Sequence, residues 1–239
     1  MDQDVKKQAL LKAWADAEAS GATLFEQLER YAGASRQIIP EVLASYDRMV
    51  ARLMAGEAGS AAPAVGDEMP DALLPDSEGH LVALSSLWAN GPVVVSFNRG
   101  HWCPYCRLEL TALKHAAPLL AAAGAQLVSI VPETAEFSSK MIETNALPFH
   151  VLSDIDLAYG LELGLIVWTG PEIQAIYATF GIDLPRFQGN PAAMLPIPAT
   201  FVIAPGGRVC ARFVDPEFRR RMSIENILAA LNGDGQSQP

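Results

Sequence analysis

The run Trp102-Cys103-Pro104-Tyr105-Cys106 constrains this chain more than any other feature. It follows Pro92-Val93-Val94-Val95-Ser96-Phe97, a short unbroken apolar run of the kind a central buried strand requires. Beyond it, Cys103 to Ala123 reads as helix, with Leu110, Leu113, Leu119 and Leu120 recurring at helical intervals. A strand, the short loop Arg99-Gly100-His101-Trp102 and a helix therefore set Cys103 at a helix N-terminus. Pro104 falls on the first helical position, where its missing N–H costs nothing. Cys106 lies one turn further in.

That placement points to thiol chemistry. A thiolate at a helix start accepts amide N–H groups from the first turn and meets the positive end of the helix dipole. Both effects lower a cysteine pKa from about 8.5 into a range of roughly 3.5–7.5. Cys103 is thus expected to attack and Cys106, more shielded, to resolve. Arg99, His101 and Arg107 are expected to add positive potential. Two core cysteines that merely share this spacing are a weak alternative. So is zinc, which needs a second ligand pair that neither Cys210 nor the four histidines supply by spacing. No metal or cofactor is expected. Three cysteines are too few and too uneven for a secreted disulfide scaffold. Cys210, between Val209 and Ala211, is expected to be a buried small hydrophobe.

From about residue 65 strands alternate with helices, the pattern of an α/β sheet. Gln126–Val131 and Phe149–Asp154 read as strands around a helix at Thr134–Asn145. Thr200–Ile203 and Arg208–Phe213 flank Ala204-Pro205-Gly206-Gly207, a hairpin signal, and Ser223–Leu231 reads as a closing helix. Residues 164–196 fit a long excursion. Pro198 sits just before an apolar strand, where proline is tolerated only at the first residue. A cis peptide there is expected to bring backbone close to Cys103 and shape a substrate groove; a trans proline opening the strand is the alternative.

The organisation so read is a helical extension at 1–55, a linker at 56–64, an α/β domain at 65–231 and a flexible tail at 232–239. Gly33-Ala34-Ser35 is expected to split the extension into two helices, with Ser35 capping the second. The resulting hairpin either packs on the main domain or serves as an arm for a homodimer. Seventeen Lys and Arg against 27 Asp and Glu leave a formal charge of −10, so nucleic acid and anionic membrane are poor partners. The N-terminus lacks a signal-peptide layout and no apolar run could cross a bilayer, so a cytoplasmic location is expected.

Val65-Gly66-Asp67-Glu68-Met69-Pro70, Asp76-Ser77-Glu78-Gly79 and Val82-Ala83-Leu84-Ser85-Ser86-Leu87 resemble the opening strands of the peroxiredoxins. Phe97-Asn98-Arg99-Gly100-His101-Trp102-Cys103-Pro104-Tyr105-Cys106 resembles the peroxiredoxin-like branch of the alkyl hydroperoxide reductase/thiol-specific antioxidant family. The resemblance covers roughly residues 65–231. It implies a thioredoxin-like fold, a central mixed sheet flanked by helices, here with an N-terminal helical extension. It also implies a thiol-dependent, peroxide-reducing oxidoreductase that takes a hydroperoxide and is reset by a thioredoxin- or glutathione-type reductant. Cys103 and Cys106 would be its catalytic pair, supported by Arg99, His101, Trp102, Pro104, Tyr105, Arg107 and Pro198.

The departures are specific. Ser96 and Gly100 stand where the family's peroxide reducers carry Pro and a Thr or Ser, and Pro198 stands near the place of the family's Arg. Cys-Pro-Tyr-Cys is itself the glutaredoxin spelling. A disulfide reductase is therefore the competing enzyme, and peroxide is expected to react no faster than a disulfide. A redox sensor is the non-enzymatic alternative.

Overall fold

The computed structural model describes residues 2–233. Three helices lead: α1 (Gln3–Glu18), α2 (Leu24–Ile38) and α3 (Pro40–Ala55). The break expected at Gly33-Ala34-Ser35 is not there. Those residues lie inside α2, and Ser35 is buried on it instead of capping a new helix. A helical glycine costs only about 1 kcal/mol against alanine, less than the burial of Leu28 and Tyr31 beside it returns. The chain turns instead at Ser20-Gly21-Ala22. There Thr23 accepts the amide of Glu26, and Glu26 accepts the amide of Thr23 at 2.9 Å, a reciprocal cap. It turns again at Ile39, where Pro40 takes the first position of α3.

The stretch 56–64 is packed. Gly59 is tight enough that a Cβ would stand 2.8 Å from the Val214 side chain, and Ala62 is buried. Next come β1 (Leu73–Pro75), β2 (Leu81–Ala83), α4 (Leu84–Trp88), β3 (Val93–Phe97), α5 (Pro104–Ala122) and β4 (Gln126–Val131). They are followed by α6 (Ala135–Asn145), β5 (His150–Ser153) and α7 (Ala158–Glu162). The excursion expected at 164–196 is folded: β6 (Ile166–Trp168) and β7 (Met194–Pro196) pair antiparallel around α8 (Pro171–Thr179) and α9 (Leu184–Gln188). The hairpin β8 (Ala199–Ile203) and β9 (Val209–Val214) precedes α10 (Ile224–Leu231), which Ser223 caps through the amide of Asn226. Residues 234–239, most of the expected tail, lie outside the described residues.

The central sheet runs β5-β4-β3-β8-β9, with β3, β4 and β5 parallel and β8 and β9 antiparallel to their neighbours. This is the mixed, helix-flanked sheet of a thioredoxin-like fold. All five residues of β3 are buried, as a strand covered on both faces must be. Among the described residues every peptide bond is trans, so the cis bond expected at Pro198 is absent. Pairing of β8 with β3 begins at Ala199 opposite Phe97, so Pro198 sits where its missing donor leaves no ladder bond unmade.

The N-terminal helices bury their apolar faces against α5. The Trp14 indole donates to the Pro104 carbonyl at 3.1 Å, the Thr111 hydroxyl donates to Glu18 at 3.1 Å, and the Tyr31 ring meets Tyr105 edge-on at 5.1 Å. Among the described residues no helix is long and apolar enough to cross a membrane.

Candidate active site

β3 delivers the chain at Phe97, and the Asn98 amide continues the ladder to the Ile130 carbonyl at 2.9 Å. The loop closes when the Cys103 amide donates to the Gly100 carbonyl at 3.1 Å. Gly100 has φ +134°, and a Cβ there would lie 2.6 Å from a Glu133 carboxylate oxygen, so only glycine fits. Cys103 is the N-cap of α5 and Pro104 its first residue. Cys103 makes no formal capping bond to the first turn, so the helix acts on it through its field and the nearby Cys106 amide.

Both thiols are buried, Cys103 at 1% and Cys106 at 0% exposure, so the difference in shielding expected of them is absent. The helical extension walls the cavity over Cys103, a cover that nothing in the Cys-x-x-Cys spacing implies. Their chemistry still differs. Burial works against a Cys103 thiolate, but the Cys106 thiol, the guanidinium groups of Arg99 and Arg221, and the Cys106 amide outweigh it and bring Cys103 down to about 6. Burial, the bond to Cys103 and the Cys103 charge push Cys106 well up, against Arg221.

Arg99, expected near the thiols, acts directly on Cys103. Its guanidinium is buried, donates to the Tyr177 hydroxyl of α8 and lies 4.3 Å from the centre of the Phe218 ring. Arg221, in the turn between β9 and α10, is the residue that sequence reasoning missed. It donates to Cys106 Sγ at 3.3 Å, to the Phe218 and Arg220 carbonyls at 2.6 Å, and through Nε to Glu109 of α5. Glu109 also accepts from Ser96 at 3.1 Å and Thr200 at 3.4 Å. The side chain in the place of the family's proline thus anchors the carboxylate that holds Arg221 on Cys106. Arg107 stacks on Trp14 at 3.8 Å and still feels the Cys103 charge, and His101 pairs with Glu133 at 2.7 Å, neither of them hydrogen-bonded to a thiol. Tyr105 packs between Tyr31 and Phe218. Pro198 lines a small gap beneath Arg99 and Phe218. Cys210 is half-buried on the edge strand β9, not enclosed as expected, because it sits at the partly covered margin of the cluster that α10 makes with the sheet.

A cavity of about 310 Å³ opens above Cys103. Arg99, His101, Trp102 and Cys103 line one side, and Leu10, Trp14, Tyr31 and Tyr46 of the N-terminal helices line the other. It can hold a small, largely apolar molecule against a thiolate flanked by cations. Since the thiolate form grows as pH rises through the pKa, alkylation of Cys103 by iodoacetamide is expected to reach half its maximal rate near pH 6. Cys106→Ala should move that midpoint upward, because it removes the hydrogen bond from the Cys106 thiol, the largest lowering influence. A midpoint at the ordinary value of about 8.5 would contradict this electrostatic picture.

Residues 65–212 match the model of the AhpC/TSA family, well over half of the chain. A protein of Mycobacterium tuberculosis strain H37Rv provisionally named as a peroxiredoxin, Rv1608c, is 30% identical over 125 residues, spanning 51% of this chain and 79% of its own. Among solved structures, peroxidoxin BcpB from Mycobacterium tuberculosis is similar at 23% identity with a TM-score of 0.56, over 71% of this chain and 96% of its own. Peroxiredoxin Q of Xanthomonas campestris is similar at 18% identity with a TM-score of 0.53, over 69% and 92%. The structural likenesses speak for the fold. The family match begins at residue 65, so α1–α3, which roof the cavity, lie outside it.

Proposed function

Because the chain belongs to the AhpC/TSA family, we propose that it is a thiol peroxidase in which Cys103 is oxidised by a small organic hydroperoxide and Cys106 resolves the product. The observation that carries this reading is the buried, thiolate-favouring Cys103 at the foot of an apolar cavity. The thiolate attacks the outer peroxide oxygen. An S–O bond forms as the O–O bond breaks, leaving Cys103 as a sulfenic acid and releasing an alcohol. The Cys106 sulfur then attacks Cys103, water leaves, and a disulfide results. A thioredoxin- or glutathione-type thiol would restore the pair. Arg99 and Arg221 take the part of the absent Thr and Arg, holding positive charge where negative charge develops.

The competing disulfide-reductase reading loses two supports. Pro198 is trans, not the cis proline on which the expected groove rested, and a 1%-exposed Cys103 does not meet a protein disulfide without displacing α1–α3. Peroxide should therefore react faster than a protein disulfide, the reverse of the order expected from Gly100 and Pro198.

In the Cys106→Ser protein, cumene hydroperoxide should leave one added oxygen on Cys103 by intact-mass and peptide analysis, with no turnover. The reduced wild type should react with cumene hydroperoxide at least tenfold faster than with hydrogen peroxide. Burying even about 60 Å² of apolar surface is worth roughly 1.5 kcal/mol, about tenfold. Oxidation appearing on Cys210 instead, or a clear preference for hydrogen peroxide, would remove the basis for this reading.

A further inference from the structure

Glu133 follows β4 and is wholly buried. Among the described residues, its carboxylate accepts hydrogen bonds only from His101, at 2.9 Å from the amide and 2.7 Å at ring Nδ1. A buried carboxylate is costly unless a positive or strongly donating group answers it. The loop is shaped to permit this contact, since Gly100 leaves free the space into which Glu133 comes. Phe137 stacks on the imidazole at 5.2 Å and Phe187 meets it edge-on at 4.8 Å, which fixes the ring plane. With Nδ1 held by Glu133, Nε2 is the nitrogen left for other work, and His101 lines the same cavity as Cys103. The ring is reachable, its side chain 19% exposed.

We infer that His101, oriented by Glu133, is the general acid that protonates the departing oxygen when Cys103 attacks a hydroperoxide. The inference rests on the peroxidase reading above. In the step, the Cys103 sulfur supplies an electron pair to the outer oxygen, which keeps its own hydrogen and becomes the sulfenic acid. The O–O pair goes to the inner oxygen, which takes the Nε2 proton and leaves as an alcohol. His101 ends neutral and regains its proton from water. Sulfur is oxidised by two electrons and the peroxide is reduced by two. Glu133 is a positioning residue.

Leaving-group chemistry tests this directly. A general acid matters for an alkoxide, a poor leaving group, and little for a carboxylate, a good one. Oxidation of the reduced full chain would be followed by stopped flow with cumene hydroperoxide and with peroxybenzoic acid, beside iodoacetamide alkylation, which needs only the thiolate. His101→Gln should slow cumene hydroperoxide by about 10²-fold or more, the lower end for a positioned general acid. Peroxybenzoic acid should slow only a few-fold, and alkylation should be unchanged. Glu133→Gln should show the same split to a smaller degree, which keeps the test open if His101→Gln folds poorly.

Equal losses on both peroxides, parallel loss of alkylation, or no loss at all would overturn the dyad while leaving the peroxidase standing. A wild type whose Cys103 reacts with neither peroxide faster than Cys210 does would overturn both.

Discussion

Cys103→Ser is expected to abolish peroxide turnover altogether. Deleting the nucleophile of a covalent mechanism costs about 10⁶-fold in a well-studied protease, and a hydroxyl here cannot be carried through a sulfenic acid. The question is whether Cys106 could stand in, since it is only one turn away. The structure argues that it cannot. Its pKa is held well above the ordinary cysteine value first by burial, with the Cys103 bond and charge adding to that. Serine removes the charge but not the burial. Cys106 should therefore remain a thiol, alkylating far more slowly than Cys103 does in the wild type. The substitution is nearly isosteric at a site 1% exposed, so stability should change by no more than about 1 kcal/mol, a typical single-site effect. Peroxide consumption coupled to a reductant measures the first expectation and urea unfolding the second. Turnover in Cys103→Ser above that of the Cys103→Ser/Cys106→Ser double variant would sink the assignment of the attacking thiol.

How much of this was readable in the chain follows from the range of the forces involved. β3 and β4 announce themselves because a doubly covered strand has to be apolar throughout, and Val93–Phe97 and Gln126–Val131 nearly are. The junction of β3, loop and α5 is equally local, and so the juxtaposition of Cys103 with Cys106 is legible from spacing. The α1–α2 boundary was local too, but the signal was Thr23-x-x-Glu26, a capping box, and not the glycine at 33. Arg221 was not legible. It lies 115 residues from Cys106, in a turn whose composition reads as solvent-facing, and only the return of β9 to the sheet edge and the turn toward α10 carry it under α5. Glu109 looks like an ordinary helix-surface carboxylate until its partners Ser96, Thr200 and Arg221 arrive from three other segments. The burial of Cys103 depends on α1–α3 folding back, a long-range event with no signature beside the cysteines themselves. Tertiary closure, not propensity, decides these features.

Arg221→Met should be the most destabilising single change near the site, and its cost should depend on pH. The Arg221 side chain is 1% exposed and Glu109 3%, so the ion pair is removed from water on both sides. Removing one partner of such a pair strands the other and costs roughly 3–5 kcal/mol. Burial already holds the Glu109 carboxyl above its ordinary value, with Arg221 the principal influence pulling it back, so losing Arg221 raises it further. A carboxyl whose folded pKa exceeds its unfolded one contributes stability that is complete below the unfolded value, about 4.3, and is lost as pH rises through the folded value. The deficit of Arg221→Met against wild type should therefore be small near pH 4 and grow toward pH 7. Adding Glu109→Gln, which removes the stranded charge, should return much of the stability at pH 7 while leaving Cys106 without its guanidinium. Resolution of the Cys103 sulfenic acid should then stay slow in the restored protein, because the Cys106 sulfur has lost the donor 3.3 Å away that favours its ionised form. Urea midpoints at the two pH values and the rate of disulfide formation after a peroxide pulse measure these separately. A deficit under about 1 kcal/mol, or one that does not change with pH, would mean that the pair is not the buried charge compensation described here.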